Sequence, residues 1–195
     1  MKEKIILASS SSRRKLLLEW AEVPFEVITA PTDETFPEGL EVKDTAMQIA
    51  LRKALNVKQA GHETRTILAA DTIVVLENQM IGKPKDRDEA INILTQLQDN
   101  SHLVITGVAL VKGDKQVLFA DVTEVSFHKL TAQQILFYVD KYQPYDKAGA
   151  YAIQEWIGVV GIKSINGDFY NVMGLPVSRV LLELERFKQP LFFDD

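Results

Sequence analysis

The stretch Thr66–Lys85, TILAADTIVVLENQMIGKPK, decides how the chain is read. It opens as a short apolar run, Ile67-Leu68-Ala69-Ala70. A carboxylate and a hydroxyl follow, Asp71-Thr72, and apolar residues return at once with Ile73-Val74-Val75-Leu76. A polar turn at Glu77-Asn78-Gln79 leads to Gly82-Lys83-Pro84. A carboxylate inside a β-branched run is unusual, because a lone buried charge costs several kcal/mol unless it is paired, metal-bound or in a wet cleft. Taken alone, such an Asp caps a turn at a strand end. The remaining chain decides between that reading and a functional one.

Outward from this stretch, strand and helix patterns alternate. On the N-terminal side Ile5-Ile6-Leu7-Ala8 reads as a strand buried on both faces. Ser9 to Ser12 and Arg13-Arg14 follow, then a helix from about Arg14 to Glu22 with Leu16, Leu17 and Trp20 on its apolar side and a serine cap. Strand, serine loop and helix start together bring N–H groups, hydroxyls and guanidinium forks to one point, an arrangement that binds anions. Two arginines at a helix start oppose the macrodipole, a local conflict that favours function over capping alone. Phe25 to Ile28 reads as a second strand, and Pro31 to Thr35 as a loop with adjacent carboxylates Asp33 and Glu34. From Val42 to Ala60 the apolar residues Ala46, Ile49, Ala50, Ala54 and Val57 repeat at helical spacing. Lys53 lies near that stripe, where a lysine ordinarily snorkels.

On the C-terminal side, Asp86 or Asp88 starts a helix to about Gln98. Val104–Val111 and Val117–Phe127 read as strands joined at Gly113-Asp114. Thr131-Ala132-Gln133-Gln134 resembles a capping box opening a helix through Tyr142. Residues 144–154 form a small-residue loop dense in polar and aromatic groups. Ile157–Ile165 and Phe169–Met173 read as strands of a hairpin turning at Asn166-Gly167, and Gly174-Leu175-Pro176 opens a last helix. Residues 188–195 read as a loose tail. Helices and strands alternate first and hairpins enter later, so the expected class is α/β with a mixed sheet and flanking helices.

Composition excludes several functions. The 195 residues are 46% hydrophobic and 25% charged, ordinary for one globular domain or two small lobes. With no cysteine there are neither disulfides nor thiolate metal sites, and His62, His102 and His128 have no metal-ligand spacing. Any metal would be a hard cation on carboxylates. A net charge of −5 without a basic block offers duplex nucleic acid no footprint. No apolar run approaches the ~20 residues of a membrane span, and the start is too short for a secretory signal. The expected setting is the cytoplasm.

The polar strand-end positions form two groups, cationic Arg13, Arg14, Lys53, Lys83 and Lys147, and acidic Glu34, Asp71 and Asp146. Cations on phosphates with acids on a divalent ion or an attacking water are what phosphoanhydride hydrolysis needs. Walker A and Rossmann fingerprints are both missing. The residues alone point to an anion-binding α/β enzyme assisted by a metal.

Six motifs in order add a resemblance. ILASSSSRRKLL, Asp33-Glu34, Ala50 with Lys53-Ala54, AADTIVV with GKP, His102 with Thr106-Gly107-Val108, and DKAGAYAIQ with the closing NVMGLP resemble the Maf family of nucleotide pyrophosphatases, from about residue 5 to 185. The resemblance implies hydrolysis of a nucleoside triphosphate to monophosphate and pyrophosphate with Mg²⁺ or Mn²⁺. It implies a fold like that of the inosine triphosphate pyrophosphatases, one domain over residues 1–195 with two lobes, elongated around a central cleft, often as a homodimer. Carried over by position, Asp71 is the general base on water or a metal ligand. Ser9 and Arg14, with Lys53 and Lys83, surround the triphosphate, and Glu34 lies at the metal or phosphate end. Arg13, Thr72 and Gln154 match the branch acting on dTTP and UTP, where the branch acting on 7-methyl-GTP has Trp, Gln and Glu. A Gln amide offers the donor and acceptor that a pyrimidine N3–H and carbonyl require. Two positions depart from the family pattern: Ser12 stands where proline is usual, and Glu155 where glycine is usual. The rival readings are a pyrophosphatase for modified nucleotides and a non-enzymatic nucleotide-binding regulator of septum formation.

Overall fold

A computed structural model describes residues 3–33, 35 and 39–187. Its strands form one seven-stranded sheet in the order β2-β1-β3-β5-β6-β7, with β4 on β3. They are β1 (Ile5–Leu7), β2 (Phe25–Val27), β3 (Ile67–Leu76), β4 (Gln79–Ile81), β5 (Ser101–Lys112), β6 (Lys115–Phe127) and β7 (Ile162–Asn166). The helices are α1 (Ser12–Trp20), α2 (Val42–Gln59), α3 (Arg87–Leu97), α4 (Ala132–Tyr142), α5 (Trp156–Gly161), α6 (Phe169–Met173) and α7 (Val177–Arg186). Strand β1 runs parallel to β2 and β3, whereas β4 on β3 and β7 on β6 are antiparallel, so the sheet is mixed as expected. The chain divides into two compact units, one of residues 1–71, 106–121 and 174–195, the other of residues 72–105 and 122–173.

The first unit is built on close helix–sheet packing. Strand β1 is apolar throughout and fully buried. Helix α2 lays Ala50, Ala54 and Val57 on Ile6, Ala8, Ile67, Ala69, Ala109 and Val111. The alanines let the helix lie low, and Gly107 lets it lie lower. A Cβ there would stand 2.3 Å from the Ala46 carbonyl carbon and the Met47 nitrogen, so only glycine fits. Helix α1 is capped by Ser11, whose hydroxyl accepts the Arg14 N–H at 3.4 Å. Its buried side carries Arg14, Leu17 and Leu18, while Trp20 is exposed; the expected apolar face of Leu16, Leu17 and Trp20 is rotated toward Leu18.

The second unit packs α3 against α4. Helix α4 begins with the expected capping box, Thr131 and Gln134 each bonding the other's backbone N–H. The polar turn after β3 is a tight hairpin, with Glu77 and Asn78 both at positive φ, and it returns as the short strand β4 that the sequence did not announce.

Residues 157–173 overturn the expected hairpin. Helix α5 occupies Trp156–Gly161, only Ile162–Asn166 is strand, and Phe169–Met173 is helix α6. Two local causes account for this. Gly158 sits so close to the Ile153 carbonyl that a Cβ would stand 1.7 Å from its oxygen, which packs the turn as a helix. Asp168 Oδ1 accepts the Tyr170 N–H at 2.7 Å, a side-chain cap that starts α6 where a hairpin would have continued extended. The tail at 188–195 lies outside the described residues.

Candidate active site

Five expected site residues fall in the first unit: Ser9, Arg13, Arg14, Lys53 and Asp71. Ser9 leaves the end of β1 and is buried. Its hydroxyl accepts Nη1 of Arg14 at 3.0 Å and the Ser11 N–H at 3.3 Å. Arg14 is buried as well, and its Nε donates to the Gly174 carbonyl at 2.8 Å. One guanidinium thus ties the serine loop to the turn before α7. Gly174 has φ +112°, a backbone state that L side chains rarely adopt, which gives the glycine of NVMGLP a physical reason. Arg13, on the next step of α1, is half-buried.

Lys53 and Asp71 make the central contact. Helix α2 rides low on its alanines, and this brings the Lys53 ammonium to 2.7 Å from Asp71 Oδ1. The two side chains are 14% and 15% exposed. The carboxylate interrupting β3 is therefore not a turn cap, and Lys53 is not a snorkelling lysine. A charge-assisted hydrogen bond of this kind is short, and it fixes the carboxylate's orientation. Partly desolvated surroundings strengthen the pair relative to a surface one.

Asp71 supplies the hard oxygen that a divalent cation of the magnesium class prefers; such ions use one or two carboxylates, waters and substrate phosphates. Its chemistry fits that group. Glu34, the other expected metal residue, lies outside the described residues. Among the described residues no three His, Asp or Glu side chains cluster as a metal cage.

The second unit holds Thr72, Lys83 and Gln154. Thr72 is half-buried in β3, while Lys83 and Gln154 are exposed. The loop leading to Gln154 turns through a 3-10 segment, Ala148–Ala150, in which Gly149 has φ +74° and packs on Val74. The Gly149 N–H donates to the Gly82 carbonyl at 3.1 Å, which ties this loop to the residue before Lys83.

Lys147, grouped from sequence with the phosphate cations, is buried with its ammonium 2.6 Å from Asp146 Oδ1 and 3.8 Å from Glu155 Oε1. Two acids hold it.

Tyr138, which sequence patterns did not single out, anchors the same loop together with His102 and Tyr151 of the quoted motifs. Tyr138 of α4 is fully buried; its hydroxyl accepts the Ala152 N–H at 3.1 Å and donates to the Glu155 carboxylate. His102 Nε2 lies 2.8 Å from the Tyr151 hydroxyl, and both rings pack on Phe127. His102 Nδ1 is buried without a hydrogen-bond partner among the described residues. Burial accordingly pushes its pKa down to about 4, and burial raises that of Tyr151, so both are neutral at pH 7. Tyr138 sits at an ordinary core position of an amphipathic helix, and nothing in that pattern separates it from a packing residue. For His102 the available signal was its place in the motif ending Thr106-Gly107-Val108.

Known proteins resemble the chain as follows. Residues 4–187 match the family described as Maf-like protein. The dTTP/UTP pyrophosphatase of Cytophaga hutchinsonii is 47% identical over 95% of this chain and 85% of its own length. The dTTP/UTP pyrophosphatase of Parabacteroides distasonis is 45% identical over 95% and 97%. That of Bacillus cereus is 44% identical over 94% and 95%. Among solved structures, the Ham1 protein of Staphylococcus aureus shares the fold at TM-score 0.51 and 16% identity, covering 94% of this chain and all of that one. The Ham1 protein of Coxiella burnetii does so at TM-score 0.50 and 20% identity, over 93% and 99%. With 184 of its residues matched and relatives near 45% identity along nearly its whole length, the chain belongs to the Maf family.

Proposed function

We propose that this Maf-family enzyme hydrolyses dTTP and UTP to the nucleoside monophosphate and pyrophosphate in the cytoplasm, clearing these nucleotides from the pool. The chain is a nucleotide pyrophosphatase, a hydrolase of phosphoanhydride bonds. The finer choice of dTTP and UTP is supported by relatives that carry that name. Arg13, Thr72 and Gln154 support it as well.

The observation that carries the chemistry is the half-buried Lys53–Asp71 pair. In the proposed reaction water adds to the α-phosphorus, the bond to the α–β bridging oxygen breaks, and pyrophosphate leaves. Asp71 takes the proton of that water or would instead serve as a ligand of the divalent ion. Lys53 fixes the Asp71 carboxylate and contributes positive charge against the phosphates. Ser9, Arg14 and Lys83 complete the triphosphate-binding set, with Arg14 also shaping the serine loop. Gln154 reads the pyrimidine edge, and Arg13 and Thr72 flank the base. Asp71 with Glu34 would hold Mg²⁺ or Mn²⁺, which when bound neutralises charge developing on the phosphates.

Purified protein with Mg²⁺ or Mn²⁺ is expected to release pyrophosphate, not orthophosphate, from dTTP and UTP in preference to other nucleotides. Preference for a modified nucleotide in the same panel supports the modified-base reading instead. Binding without turnover at any metal supports the septum regulator.

A further inference from the structure

We infer that Tyr138 is a positioning residue for base selection, acting through Gln154. This rests on the assignment of Gln154 as the base-reading residue. The geometry is local. Gln154 is exposed, while the residues on either side of it are held by one buried phenol. The Tyr138 hydroxyl accepts the N–H of Ala152 and donates to the carboxylate of Glu155. A single oxygen therefore bridges the backbone two residues before Gln154 and the side chain one residue after it.

The ring is itself fixed, with no exposed surface and stacked on Tyr142 at 5.0 Å between centroids. Phe137, the preceding residue of α4, meets Trp156 edge to face at 4.9 Å, so α4 braces the C-terminal side of the segment a second time. Glu155 also faces the Lys147 ammonium, which links the clamp to the loop's entry. The carboxylate that departs from the family's usual glycine is thus the acceptor that closes the clamp. A glycine there has no side chain to receive the phenol.

Side chains that select substrates need support from neighbours whose own positions are fixed. Losing the phenol's hydrogen bonds frees the Gln154 amide to sample other orientations. Base recognition weakens, while the phosphate chemistry is left alone. The effect therefore belongs in KM and in discrimination between bases.

The test uses steady-state kinetics with dTTP, UTP and dGTP on Tyr138→Phe, Glu155→Gln and Glu155→Ala. Tyr138→Phe keeps the ring and removes only the hydroxyl. It is expected to raise KM for dTTP and UTP by about tenfold, the scale of one hydrogen bond to a charged group, with kcat changed by less than about twofold. Preference for dTTP over dGTP falls in parallel. Glu155→Gln keeps an acceptor and stays near wild type, whereas Glu155→Ala follows Tyr138→Phe. On a Gln154→Ala background, Tyr138→Phe adds little further loss, because contacting residues that act through one another are not additive. An unchanged KM and base preference in Tyr138→Phe overturns the inference. So does an equal loss on the Gln154→Ala background, the mark of a general packing defect. If Tyr138→Phe fails to fold, Glu155→Gln against Glu155→Ala decides on the same readouts. If the wild-type protein releases no pyrophosphate from dTTP or UTP, the substrate reading falls and this inference falls with it. Wild-type activity with an indifferent Tyr138→Phe overturns the clamp alone.

Discussion

The Lys53–Asp71 pair of the first unit and the 144–155 loop of the second are held in place by different means. In the first, each charged group stands on a regular element: Arg13 and Arg14 on α1, Lys53 on α2, Asp71 on β3. Alanines and Gly107 set the helix height, and that height sets the ion pair. In the second, Gln154 stands on a loop whose course depends on single hydrogen bonds, from Gly149 to Gly82, from Ala152 to Tyr138 and between His102 and Tyr151. A site fixed by packed elements tolerates little drift, as charge stabilisation demands. A loop fixed by a few bonds can change its preference through one or two substitutions without disturbing the core.

The comparison is broken or sharpened by substitution in each region. After substitution of Asp71 itself, the largest effect is expected from Lys53→Met, which keeps the aliphatic stem and removes the charge. A fall of about 10²–10³ in kcat/KM is expected for every nucleotide alike, the cost of losing one fixed electrostatic donor. A loss confined to one base would break the division of labour. Gln154→Glu comes next. It swaps the amide's donor for an acceptor and should move the kcat/KM ratio away from uracil and thymine by about tenfold or more. An unchanged nucleotide profile would remove Gln154 from the base pocket.

A smaller effect belongs to stability. His102 has a folded pKa of about 4, below its ordinary 6.5, because it is buried. Between those values the unfolded chain binds the proton and the folded chain does not, so stability is full above about pH 6.5 and declines as pH falls toward 4. His102→Phe should flatten this part of the pH profile in urea unfolding midpoints; a profile of unchanged slope contradicts the assignment. The smallest effect is expected from Ser12→Pro. Ser12 is the first residue of α1, where a fixed φ suits the helix, and Ser11 before it is already extended at φ −60° and ψ 119°. A gain of about 0.4–1 kcal/mol in unfolding free energy is expected.

The two regions also differ in how far they could be read from sequence. The first unit follows from local pattern: an apolar strand, a serine-capped helix, an alanine stripe, and a carboxylate interrupting β3. What the pattern hid was the partner. Lys53 beside an apolar stripe looks like any snorkelling lysine until α2 is docked on the sheet. In the second unit the capping box at Thr131 was legible, but residues 157–173 were not. Ile-, Val- and Gly-rich sequence with Asn166-Gly167 has the local preferences of a hairpin, and two other local features, the close approach of Gly158 to the Ile153 carbonyl and the Asp168 cap, overrode them. Asp146 beside Lys147 was legible in the sequence, whereas the approach of Glu155 to the same ammonium appears only in the fold. Tyr138 gave no signal, because a buried tyrosine on a helix face differs from a packing residue only by what its hydroxyl meets.

In the proposed mechanism the hydrolytic step depends on the Asp71 carboxylate, oriented by Lys53. This dependence is tested most directly by comparing pyrophosphate release from dTTP by wild type and Asp71→Asn under saturating Mg²⁺. Loss of the carboxylate is expected to lower kcat by about 10²–10⁴, with the fold retained by circular dichroism. Turnover by Asp71→Asn equal to that of wild type would contradict the account.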